Sequence, residues 1–176
     1  MRTCICSFFM LLCNYLLGNT LCDNESIIVN LDTHEMKRPN VPSYIKKKKQ
    51  SNERYTMVVY VDKNDCPSCF ISHLYEWEIF INECENDKIP LNIVFIFSPP
   101  ENNYTMFVNN LSTSSISSVS YIDTKNRFRK KNPWVIKDMS THIFIVDKSM
   151  RPKFVDAPPY DKKFTKWLHG LGNPIE

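Results

Sequence analysis

The run YTMVVYVDKNDCPSCFISHLYEW, from Tyr55 to Trp77, decides the fold. Tyr55 to Val61 is almost continuously apolar and rich in β-branched and aromatic residues, the pattern of a central strand buried on both faces. Asp62 to Asp65 is a polar loop that ends directly at Cys66. Beyond it Phe70, Leu74, Trp77, Ile81 and Cys84 recur at alternating spacings of four and three. That is the stripe of an amphipathic helix, and Cys84 on it reads as a small buried hydrophobe rather than a reactive thiol.

The junction between this strand and helix holds Cys66-Pro67-Ser68-Cys69. A helix start offers unpaired N–H groups and a partial positive charge, and both stabilise a thiolate. The spacing therefore predicts that Cys66 is the nucleophile. Cys69, one turn on, is in reach to resolve a mixed disulfide. Pro67 suits the first helical turn because it has no N–H to leave unpaired.

Further along, Leu91 to Phe97 (LNIVFIF) reads as a second buried strand, closed by Ser98-Pro99-Pro100. Glu101 to Leu111 is compatible with a helix and Tyr121 to Asp123 with a short strand. Thr141 to Val146 (THIFIV) and Pro152 to Val155 (PKFV) read as a hairpin whose proline places the second strand on an edge. Tyr160 to Leu168 closes the chain as a helix burying Tyr160, Phe164, Trp167 and Leu168. The order predicts an α/β fold: a mixed central sheet, parallel at the start and antiparallel in its C-terminal hairpin, with helices on both faces.

Composition sets the outer limits. The chain has 176 residues, one domain's worth with some excess at the ends, and 43% hydrophobic residues, enough for a core. A net charge of +3 is too small to mark a phosphate-tracking nucleic-acid binder, so no nucleic-acid partner is expected. Three glycines exclude Gly-rich phosphate loops.

The N-terminus carries one charge, Arg2, before the apolar stretch Ile5 to Leu17. At about 13 residues this is too short to span ~30 Å of hydrocarbon but matches a signal-peptide core. Residues 1–22 are accordingly expected to be a signal peptide, which removes Cys4, Cys6 and Cys13. Cys22 follows an imperfect lipobox, with Asn19 and Leu21 at its key places, so lipidation at Cys22 and ordinary secretion both stay open. Residues 23–53 read as an N-terminal arm. Ser26 to Leu31 (SIIVNL) is its one strand-like run, and Lys46 to Lys49 reads as a solvated loop. The domain is expected over 54–176. Asn24, Asn103 and Asn110 match glycosylation triplets, a pattern that chance supplies easily in an Asn-rich chain.

With the strand, CxxC, helix, strand and terminal hairpin in place, the sequence resembles the thioredoxin fold. The segments VVYVDKNDCPSCFISHLYEW and THIFIVDKSMRPKFVDAPPYDKKFTKWL are similar to those of exported thioredoxin-like proteins and lipoproteins of Bacteroidetes, over roughly Arg54 to His169. The resemblance implies a thiol–disulfide oxidoreductase acting through Cys66 and Cys69. No cofactor is implied beyond the two thiols. The partners implied are protein thiols or disulfides and an electron donor that the sequence does not identify. The location implied is periplasmic, or outer-membrane-anchored through Cys22. It also implies a substrate-facing platform at Met139, Ser140 and Thr141.

Three positions depart from that family's pattern. Ser140 stands where a cis-proline is usual, and a trans Met139–Ser140 bond is expected because a non-proline cis bond costs ~2.5–4 kcal/mol. Tyr60 falls where a buried acid assists deprotonation. Asp65 replaces the tryptophan that usually precedes the first cysteine, and its charge opposes thiolate formation. Two other readings of the cysteine pair stay open. One is a structural disulfide in a non-catalytic binding module. The other is a copper site of Cys66, Cys69 and His142, a soft thiolate–imidazole set.

Overall fold

In a computed structural model, residues 27–39, 55–114, 116, 118–134, 141–155 and 162–172 are described. The expected strand at Tyr55–Val61 forms as β1 and takes the centre of a five-stranded sheet, order β3-β2-β1-β4-β5. β2 (Leu91–Phe97) and β3 (Val119–Ile122) extend the sheet in parallel on one side. β4 (Thr141–Asp147) and β5 (Pro152–Val155) form an antiparallel hairpin on the other, with β4 against β1 and Pro152 on the edge strand. The expected mixed α/β sheet is what forms.

The alternation of side chains along β1 builds two cores. Met57, Val59 and Val61 face one way, against Leu74, Trp77, Ile81 and Cys84 of the expected stripe. Phe107, Phe164 and Leu168 complete that side. The stripe is carried by two helices rather than one: α1 (Pro67–Ser72) and α2 (Leu74–Asn86) meet at His73. Phe70 on α1 packs edge-on against Phe97 and beside Trp77, so the break leaves the apolar face continuous. α3 (Tyr104–Thr113) follows a 3-10 turn at Glu101–Asn103, and α5 (Lys162–Gly172) supplies Phe164 and Leu168. Tyr160 lies outside the described residues.

On the opposite side, Val58, Tyr60, Val94, Ile96, Phe144 and Val146 are covered by a short helix, α4 (Arg127–Lys131), and by residues 27–39. α4 is absent from the sequence reading. Its start is set by Asp123, whose Oδ2 accepts the Phe128 N–H at 2.8 Å, and by Asn126 in the left-handed region at φ 52°. Residues 27–39 do not contain the strand read in Ser26 to Leu31: Ile27 to Leu31 is irregular. The segment is held point by point instead. Val29 is buried at 1% exposure, and its N–H donates to Met150 O. Asn132 acts as a side-chain mimic of a strand partner, accepting the Asn30 N–H and donating to Asn30 O. Lys37 and Ile122 exchange two backbone hydrogen bonds, while Asp32 pairs with Lys131 and Glu35 with Arg127. Among the described residues no helix is long and apolar enough to cross a membrane.

Candidate active site

β1 ends at Val61, and the next four residues form a braced turn. The Asp65 N–H donates to Asp62 O at 3.1 Å, and the Asp62 N–H donates back to Asp65 Oδ2 at 3.0 Å. The Asn64 N–H adds a bond to Asp62 Oδ1 at 3.1 Å. This turn delivers Cys66 to the N-cap of α1, with Pro67 as the first, buried, helical residue. Cys66 and Cys69 are joined as a disulfide with a Cα–Cα separation of 5.1 Å. The Cys69 N–H donates to Cys66 Sγ at 3.2 Å. Both cysteines are exposed.

Behind the turn lies a buried polar cluster. Asp62 is 2% exposed, yet its Oδ2 accepts from Arg129 Nη1 at 2.6 Å and from the Tyr60 hydroxyl at 2.9 Å. The Asn126 side-chain amide lies 2.8 Å from the same hydroxyl. Burial pushes the Asp62 carboxyl up, but the Asn64 N–H, Tyr60 and Arg129 outweigh it and hold it below the usual carboxylate range. Burial likewise raises Tyr60, with the Asp62 carboxylate adding to it. Asp65 is pushed up to about 6, because burial and the neighbouring Asp62 charge outweigh the Asp62 N–H and the Arg129 charge.

A buried acid thus lies two residues after Tyr60, on the same face of the chain. In the sequence Asp62 reads only as part of a polar loop. The strand spacing from Tyr60 to Asp62 was a usable signal; the partnership with Arg129, 67 residues away, was not.

A cleft of about 220 Å³ opens beside the disulfide, between the Asp62–Asp65 turn and the loop after β2. Cys66 and Asp65 both line it, with Pro67 and Pro99. On the other side of β1, Thr141 begins β4 in register with Val61. Met139 and Ser140 of the expected platform lie outside the described residues, as does Cys22.

Among the described residues no group of three His, Cys, Asp or Glu side chains is placed to hold a metal ion. Cys66 and Cys69 face solvent, whereas His142 is buried at 1% exposure between the rings of Tyr60 and Phe144. His73 is exposed and pairs with Glu76 at 3.2 Å, not with the cysteines.

No family model matches the sequence, and no curated protein matches it. Solved structures do. A candidate thiol:disulfide interchange protein DsbE from Chlorobium tepidum superposes with a TM-score of 0.50 at 9% identity, over 69% of this chain and 82% of that one. The thioredoxin domain of a thiol-disulfide oxidoreductase from Bacteroides vulgatus is similar at 12% identity and TM-score 0.44, over 66% of this chain and 81% of that one. StoA from Bacillus subtilis is similar at 12% identity and TM-score 0.45, over 67% and 84%. The first of these carries the assignment, and at such identity it speaks for the fold alone. The chain is a thioredoxin-like fold protein with a cysteine pair at the position where β1 meets α1.

Proposed function

We propose that the protein is an exported thiol–disulfide oxidoreductase in which Cys66 attacks and Cys69 resolves. The observation that carries this is the position of Cys66: exposed, at a helix N-cap, with its sulfur accepting the Cys69 N–H at 3.2 Å and the second sulfur in bonding reach. A hydrogen bond to sulfur favours the thiolate over the thiol. In the reduced protein the Cys66 thiolate attacks one sulfur of a substrate disulfide. That S–S bond breaks, one substrate thiolate leaves, and a Cys66–substrate disulfide forms. Cys69, deprotonated, then attacks Cys66 Sγ and releases the second substrate thiol. The pair loses two electrons and the substrate gains them. The reverse sequence oxidises a dithiol substrate, and an external thiol or disulfide donor resets the pair.

A Cys69→Ser variant tests the assignment. It should accumulate a mixed disulfide on Cys66, seen as a reducible mass or gel shift, whereas Cys66→Ser should trap nothing. The half-buried Asp65 carboxylate favours a second reading, a structural disulfide in a binding module, because a negative charge next to Cys66 opposes its ionisation. The reduction potential separates the two. An exchange enzyme should lie above about −300 mV and a structural staple below it.

Export and the Cys22 tether belong to the same proposal, resting on Arg2 and the Ile5–Leu17 run. Intact mass of protein recovered from cells should show loss of residues 1 to about 21. A Cys22→Ala variant should leave the membrane fraction if Cys22 carries lipid. A retained N-terminus would end the export reading.

A further inference from the structure

Two helices on the Trp77 side of the sheet divide the surface charge between them. α2 buries Leu74, Trp77, Ile81 and Cys84 against the sheet. Directly opposite, one helical turn apart, Tyr75 and Ile79 face outward at 58% and 50% exposure. Glu76 and Glu83 flank this pair on one side, Glu78 and Glu85 on the other, and α2 contains no base. α5 is the reverse. Its outer face presents Lys162, Lys166 and His169 at i, i+4 and i+7, and it contains no acid. The two helices are neighbours: the rings of Phe80 and Phe164 lie 6.2 Å apart, and Asp87 and His169 approach to 3.7 Å. They therefore run in the same direction, with Glu83 about level with Lys166. Both of these side chains are exposed, and among the described residues neither is in an ion pair.

From this arrangement we infer that the outer face of α2 and α5 is the interface of a symmetric dimer, its occupant a second copy of this chain. A two-fold axis running along the helices, between α2 and α5, lays each α2 over its partner's α5 at the same height. Glu83 then meets the partner's Lys166, and the aliphatic stems of the partner's lysines cover Ile79. The alternative pairing, α2 on α2, sets glutamates against glutamates and is rejected by like charge. Exposed ion pairs contribute little one by one, so removal of Tyr75 and Ile79 from water supplies the affinity while the charges choose the pairing. Because the axis is parallel to α2, both disulfides stand at the same end of the dimer. The inference is independent of the thiol chemistry.

Sedimentation of the protein recovered from cells tests the interface, with Cys22→Ala throughout so that no lipid chain drives association. The protein should approach twice its monomer mass as concentration rises, and added salt should weaken the dimer. Two charge reversals divide the interface. Glu83→Lys with Glu85→Lys makes α2 basic, and Lys162→Glu with Lys166→Glu makes α5 acidic. The new lysines stand in the last turn of α2 and the new glutamates in the first turns of α5, the ends whose dipoles favour those charges, so both variants keep their helices. Each should raise the dimer dissociation constant at least about tenfold, because like charges now face each other. Mixed in equal amounts, the two variants should associate to within about threefold of the wild-type constant, since a heterodimer pairs every basic helix with an acidic one.

A protein that stays monomeric up to about 1 mM, where a contact worth ~4 kcal/mol is already half associated, overturns the dimer. So does a dimer that neither reversal weakens, which would place the interface elsewhere. A mixture that stays monomeric while both variants keep the wild-type circular dichroism overturns it as well. Should either reversal unfold the chain, Glu83→Gln and Lys166→Gln decide instead. Each removes two exposed ion pairs by symmetry, so each should weaken the dimer about fivefold and flatten its salt dependence; an unchanged dimer would sink the assignment. None of these positions touches the cysteine pair, so trapping by Cys69→Ser reads the oxidoreductase proposal separately.

Discussion

Arg129 reaches Asp62 across the end of the sheet, Nη1 to Oδ2 at 2.6 Å, with side-chain exposures of 14% and 3%. The pair stands directly behind the turn that carries Cys66. It fixes Asp62 as an anion whose oxygens then brace that turn through Asn64 and Tyr60. A carboxylate held this firmly has lost its use as a proton acceptor for the thiols, so its contribution is to geometry.

Removing the guanidinium should show that dependence. Arg129→Met leaves a buried carboxylate without its counter-ion, a change that costs about 3 kcal/mol. Urea unfolding at pH 7 measures it. In the wild type Asp62 has a lowered pKa, so its contribution is present above the unfolded value and lost as pH falls through the folded one. In Arg129→Met the sign reverses, and stability should improve on acidification. Adding Asp62→Asn to Arg129→Met should recover a good part of the loss. A single-variant cost under about 0.5 kcal/mol, the size of an ordinary surface change, would mean the pair is solvated.

Asp65 should behave in the opposite sense. Its folded value, about 6, lies above the ordinary 3.8, so the native state binds the proton more tightly than the unfolded chain. Stability should therefore decline as pH rises from about 4 to 6, and stay at the lower level above that. Asp65→Asn keeps an oxygen for the Asp62 N–H and should flatten this decline. The gain at pH 7.5 should be about 1 kcal/mol, well short of the full linkage value because solvent screens a partly exposed group. Removing the negative charge next to Cys66 should also shift the alkylation profile of the reduced Cys66 toward lower pH. An unchanged profile would show that Asp65 does not act on the thiol.

Cys84 is the remaining thiol among the described residues, 4% exposed on the inner face of α2. Burial, with the charges of Glu83, Asp87 and Glu85, pushes it up to about 12. It should resist alkylation in native buffer and react only on unfolding. Cys84→Ala should cost on the order of 1 kcal/mol as a small cavity. Rapid labelling of native protein at Cys84 would show that α2 opens far more readily than its packing implies.

The sequence alone determined those features whose signal is local. The β-branched run of β1, the CxxC at its end, the stripe from Leu74 to Cys84 and the Thr141–Val155 hairpin each state their structure within a few residues, because side-chain period and turn chemistry act over that range. Local signal failed where periodicity was absent or misleading. Ile27 to Leu31 carries strand-like residues but forms no strand; Val29 and Leu31 pack instead into the cluster of Val58, Phe144 and Val146 on one face of the sheet. The basic run Arg127 to Lys131 shows no apolar stripe beyond Phe128, and its helix is set by Asp123 and Asn126 upstream. The site behind the cysteines was decided by tertiary structure alone. Asp62, Asn126 and Arg129 have ordinary loop and surface identities in the sequence. Only the sheet brings them together under Tyr60, where loss of water makes a charge pair obligatory.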